Sequence, residues 1–166
     1  MSPAVVIKRT LILLRHAKSA WPPDTPDAAR PLARRGLRDA PAVGRWLRDQ
    51  VPTIDLVVCS PAVRAAKTWD LAAAQLDQKP PLRHDEQLYD AAVQDLLKVT
   101  QQLPPTVLTA VLVGHNPGLE NFLTLLTGAA EPLRTSAIAV ITTPTGWPQI
   151  HPGSGNLTTL ATPRGQ

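Results

Sequence analysis

Apolar positions along the chain fall into two alternating rhythms. Short unbroken runs occupy residues 10–14 (TLILL), 55–59 (DLVVC) and 107–113 (VLTAVLV). Runs of that length without polar alternation are expected of strands covered on both faces. Between them the spacing turns helical. Over residues 33–49, Ala33, Leu37, Ala40, Val43, Gly44 and Leu47 share one face, while Arg34, Arg38, Arg45 and Arg48 line a solvated one. Pro41 inside this stretch is expected to kink the helix or mark its true start. Ser60-Pro61 reads as a second helix start, with Ser60 as N-cap and Pro61 at the first helical position, for a helix reaching about residue 76. Lys79-Pro80-Pro81 ends it. Residues 92–103 and 119–126 carry helical spacing, and residues 137–142 and 157–161 are strand-like. Strands alternating with helices predict an α/β fold, a single domain with a mostly parallel central sheet flanked by helices on both faces.

Composition narrows the class. A chain of 166 residues suits one domain over residues 1–166, with residues 162–166 expected to form a flexible tail. The lone Cys59 excludes an intramolecular disulfide and leaves a zinc site short of thiolates, so no metal or cofactor is expected. No apolar run approaches the ~20 residues that cross a bilayer. The opening MSPAVVIKRT lacks the pattern of a secretion signal, which predicts a cytoplasmic location and no membrane association. The formal net charge of +4 raises nucleic acid as a partner. With aromatics at 4% and no lysine-rich run, that reading has neither stacking platforms nor a basic tract.

The chemistry gathers where strands end. His16 follows the first apolar run and His115 the third. Arg15 closes the first strand, and Arg64 lies one turn into the helix after the second. Ligands of open parallel sheets bind outside the carboxyl ends of strands, so these residues are expected at one edge. Two guanidiniums and two imidazoles describe a pocket for a dianionic tetrahedral group, because arginine offers paired planar donors to phosphate oxygens. Lys18 and Ser19 are further candidates for substrate contact, and Trp21 for a pocket wall. Trp46 and Trp69 are read as core, with Trp147 left open. His84 and His151 are read as surface residues, and Asn116 as a turn residue. Cys59 and Arg64 are separated by one residue fewer than in the loop of cysteine-based phosphatases. The glycines of that loop are absent too, so Cys59 reads as a small buried hydrophobe.

These segments also carry a resemblance. Arg15-His16-Ala17-Lys18-Ser19, followed by Arg30-Pro31-Leu32 and Gly36, resembles the histidine phosphatase superfamily and within it the SixA-type phosphohistidine phosphatases. Ser60-Pro61-x-x-Arg64-Ala65-x-x-Thr68 is similar to the family's second arginine motif, and Val113-Gly114-His115-Asn116-Pro117-Gly118 to its second histidine motif. The likeness runs over residues 8–142. It implies that His16 is the nucleophile and becomes transiently phosphorylated, that Arg15, Arg64 and His115 hold the phosphoryl oxygens, and that no metal is needed. The family's acid falls at Asp90, an aspartate where glutamate is usual, with Glu86 as rival.

The short loops imply an open site. The expected substrate is a phosphorylated protein, such as a histidine-containing phosphotransfer domain. The alternatives are a small phosphomonoester, or a phosphate-binding adaptor that does no chemistry.

Overall fold

The computed structural model describes residues 7–166. Residues 1–6, part of the opening segment read for export signals, lie outside the described residues. Six strands form one sheet: β1 (Arg9–Arg15), β2 (Leu56–Cys59), β3 (Leu82–His84), β4 (Thr109–Gly114), β5 (Ile138–Thr143) and β6 (Asn156–Ala161). Their spatial order is β3-β2-β4-β1-β5-β6. β1 to β4 run parallel, β5 is antiparallel to β1, and β6 is antiparallel to β5. The helices are α1 (Arg34–Gln50), α2 (Val63–Ala73), α3 (Val93–Gln101) and α4 (Gly118–Thr127).

Alternate residues of the central strands feed two separate cores, which is why their apolar runs are unbroken. Leu11, Leu13 and Leu112 pack with Leu96, Val99, Phe122 and Leu123 of α3 and α4 on one face. Ile12, Leu14, Val111 and Val113 pack with Val43, Leu47 and Trp69 of α1 and α2 on the other. The expected α/β architecture with helices on both faces is what the chain adopts. Trp69 is core, as read. Trp147 proves fully buried, its indole N–H donating to the Val107 carbonyl at 2.7 Å.

Several local readings need correction. Pro41 lies inside α1, which begins at Arg34, and so does not mark the start of the helix. The helix is held by close packing on α2, where Gly44 meets the Ala72 carbonyl so tightly that a Cβ would lie 2.1 Å from its oxygen. Leu37, placed above on the buried face, is 46% exposed, because the buried arc leans toward Asp39. Ser60 is not the N-cap of α2, which begins at Val63 after Ala62. β3 was missed: all three of its residues are exposed on an edge strand, so no hydrophobic pattern marks it.

Within residues 162–166, expected to form a flexible tail, Arg164 and Gly165 contact Asp39 of α1. Arg164 donates to the Asp39 carboxylate at 3.1 Å and to the Thr135 carbonyl at 2.8 Å, and the Gly165 N–H donates to Asp39 at 2.9 Å. Asp39 is 1% exposed, and a buried carboxylate needs such partners.

Candidate active site

The register of the sheet brings three strand ends together. Arg15 stands opposite Gly114, and Cys59 opposite Val113, so the residues just beyond β1, β2 and β4 share one edge. There Arg15, His16, Arg64 and His115 line a single hollow of about 220 Å³, with Lys18 and Ser19 at its wall. Trp21, Arg30, Asn116 and Thr135 complete the lining. The two predicted histidines sit with ring centroids 5.1 Å apart. A larger cavity of about 350 Å³, walled by Val51, Ile54, Leu76 and Pro80, holds none of the motif residues.

His16 is fixed from several directions. Its backbone N–H donates to the Gly114 carbonyl at 3.1 Å, continuing the ladder past the end of β1. The next amide, Ala17, donates to Thr68 Oγ1 at 2.9 Å, and that hydroxyl donates to the Arg64 carbonyl at 2.7 Å. The fully buried Thr68 thus ties the loop of the first histidine to the helix of the second arginine. On the other side the Lys18 carbonyl accepts from Ala33 and packs on Gly36, where a Cβ would come within 2.1 Å of it. Only glycine permits that approach.

The protonation state follows from these contacts. His16 Nδ1 lies 2.7 Å from the Ala17 carbonyl, which can only accept, so Nδ1 carries the proton and Nε2 keeps a lone pair. Burial pushes the ring pKa down to about 3. The bond to Ala17 partly offsets this, and His115, Arg64 and Arg15 push it lower. His115 is pushed down to about 4, first by burial and then by Arg64. Its Nε2 lies 2.8 Å from Ser60 Oγ, which already accepts from the Ala62 amide at 3.2 Å. This contact fixes the orientation of the His115 ring beside the start of α2.

Three of the residues that line the hollow carry a polar atom without a partner among the described residues. Arg15 Nε, Arg64 Nε and His115 Nδ1 are buried and unsatisfied within the described residues. Two guanidiniums and two imidazoles lining one hollow suit a tetrahedral anion.

Other predicted residues have different places. Asp90 and Glu86 are exposed, and neither lines the hollow. Ser19 is occupied, its Oγ accepting from Arg30 at 2.5 Å. Lys18 is exposed at the rim. Asn116 donates to the Leu133 carbonyl at 2.7 Å and orients its turn. Burial raises the Cys59 thiol to about 12, so it is no nucleophile. Arg34, Arg38, Arg45 and Arg48 are all exposed, and His84 and His151 lie at the surface.

The carboxylate at this site is one the sequence reading missed. Asp27 accepts from Tyr89 Oη at 2.5 Å, from Arg30 at 3.0 Å and from Arg64 at 3.0 Å, while its backbone carbonyl accepts from Arg64 at 2.7 Å. The Tyr89 hydroxyl, then the two guanidiniums, hold its carboxyl well below the usual range. It is a fixed anion that aims Arg64. Its only trace in the sequence is its place three residues before Arg30.

A family model described as "Histidine phosphatase superfamily (branch 1)" matches residues 11–104, more than half of the chain. The chain belongs to this superfamily. An uncharacterised protein from Mycobacterium tuberculosis is 37% identical over 162 residues, covering 91% of this chain and all of its own length. A structure from Nakamurella multipartitia, assigned to the SixA phosphohistidine phosphatases, superposes with a TM-score of 0.86 at 28% identity, over 98% of this chain and 99% of that one. The protein histidine phosphatase SixA, solved with tungstate, shares the fold with a TM-score of 0.80 at 24% identity, over 92% and 96% of the two chains. The SixA-type resemblance read from the three motifs therefore extends through the whole histidine phosphatase fold.

Proposed function

We propose that this phosphatase removes the phosphoryl group from phosphohistidine on a protein, through a phosphorylated His16 and without a metal ion. One observation carries the reading. A neutral imidazole, with Nδ1 committed to the Ala17 carbonyl and Nε2 free, lines one hollow together with Arg15, Arg64 and His115.

The steps follow from that arrangement. The phosphoryl oxygens bind to the two guanidiniums and to His115. The His16 Nε2 lone pair attacks phosphorus, the bond from phosphorus to the substrate nitrogen breaks, and the departing imidazole takes a proton from water. Water then attacks the phosphorylated His16, inorganic phosphate leaves, and Nε2 regains its lone pair. Arg15, Arg64 and His115 stabilise the charge that spreads over the equatorial oxygens in both transfers. The positive charge of the two arginines serves where a metal would otherwise be required.

Two features favour a protein substrate bearing phosphohistidine. Transfer between two imidazole nitrogens needs little help from an acid, which fits a hollow that neither Asp90 nor Glu86 lines. A hollow of about 220 Å³ is also smaller than most small-molecule pockets, roughly 300–1,000 Å³, so it takes a phosphoryl group and leaves its carrier outside. A histidine-containing phosphotransfer domain would present its phosphate in that way.

The test is turnover of a phosphohistidine protein beside a panel of phosphomonoesters, with and without a chelator. Preferred release from the protein, unaffected by chelation, is expected. Turnover of the esters alone would assign the site to small metabolites, and binding without release would make it an adaptor.

A further inference from the structure

Trp21 is the most exposed large apolar side chain among the described residues, at 76%, and it stands on the rim of the anion hollow. Large aromatics normally bury most of their area, so an indole left in water beside a binding site asks for a ligand. It is also held in place. The Arg30 guanidinium lies over one face of the ring, 3.2 Å from its centroid. Arg30 is itself buried, with donors committed to the Ala20 carbonyl, Ser19 Oγ and Asp27. Pro22 follows directly and restricts the Trp21 backbone to extended conformations. A ring fixed on one face and open on the other loses little freedom when something stacks on it.

The charge behind the ring selects what that can be. A guanidinium on the far face discourages a cationic side chain and favours an uncharged planar ring attached to an anionic group. The group entering with the phosphate must also be short enough to lie beside the hollow. We infer that the open face of Trp21 stacks on the imidazole of the phosphorylated histidine, which makes Trp21 a specificity-determining residue for the leaving group. The inference rests on the phosphohistidine reading above.

Phosphoramidate has the same phosphorus–nitrogen bond as N-phosphohistidine but no ring, so the ratio of kcat/KM for the two substrates isolates the ring contact. In Trp21→Ala, kcat/KM for phosphohistidine should fall roughly 3- to 10-fold further than for phosphoramidate, mainly through KM. Trp21→Phe should restore most of the ratio, and thermal melts should show both variants folded. Equal losses on the two substrates, with weaker inhibition by orthovanadate, would overturn the inference and leave Trp21 as a prop for Arg30. An unchanged ratio without loss on either would overturn it equally. A wild-type enzyme that hydrolyses phosphoramidate and esters but not phosphohistidine would instead bring down the reading on which it rests.

Discussion

Mild acid should weaken this fold through two histidines before the carboxylates of the site are touched. Burial pushes His16 down to about 3 and His115 down to about 4 in the folded chain, against 6.5 for an ordinary histidine. Both values are depressed, so above pH 6.5 each ring is neutral whether the chain is folded or not. Below it, the unfolded chain takes up two protons that the folded chain refuses. Stability then declines by about 1.4 kcal/mol per pH unit for each ring. At pH 4.5 the two together have removed roughly 5 kcal/mol, a large part of the roughly 5–15 kcal/mol that typical domains possess. The decline from these groups ends as the folded rings protonate in their turn. Asp27 acts later, because a depressed carboxylate loses its contribution only as pH falls below its ordinary value of 3.8. Urea denaturation at intervals from pH 7.5 to 4.5 measures the slope directly. The His16→Asn and His115→Asn single variants should each remove about half of the histidine-dependent slope, and added phosphate should shallow the wild-type curve. A double variant with the wild-type slope would refute the assignment of both rings as buried neutral groups.

Other substitutions probe the supports of the site. Arg64→Ala should lower kcat on a phosphohistidine substrate by about 10²–10³, with little recovery in Arg64→Lys because a lysine lacks the paired planar donors; steady-state kinetics with a loss under threefold would remove Arg64 from the cradle. Thr68→Val leaves the Ala17 amide buried without its acceptor and should cost about 1–3 kcal/mol in thermal denaturation, together with a drop in kcat. Arg164→Ala should cost about 1–2 kcal/mol by denaturant midpoint, since Asp39 keeps Arg35 and the Gly165 amide while Arg164 is partly solvated. An unchanged midpoint there would mean that the C-terminal segment does not hold α1.

The legible parts of this molecule were those with a repeating physical cause. Residues 10–14 and 107–113 were readable as strands because burial on both faces demands unbroken apolar runs. Once strand ends were located, the parallel topology placed Arg15, His16, Arg64 and His115 on one edge. What escaped depends on contacts between distant segments. Asp27 sits in a proline-rich loop with no periodicity, and only the folded chain brings it to Arg64 and Tyr89. Ser60 looked like a cap because its neighbours have capping composition, whereas its hydroxyl is drawn to His115, a residue 55 positions away. The burial of Asp39 could not be read from α1 alone, since its partner Arg164 lies 125 positions further on. Asp90 was placed by family pattern, and a short side chain on a left-handed turn at φ 51° leaves it exposed.

The central claim is that His16 Nε2 forms a bond to phosphorus. Rapid quenching of the enzyme during turnover of a phosphohistidine protein, under alkaline conditions that preserve phosphoramidates, followed by peptide mass spectrometry, tests it most directly. The account predicts one acid-labile phosphoryl group on His16 in the wild type and none in His16→Ala, which should also be inactive. Full turnover by His16→Ala, or a label on any other residue, would contradict it.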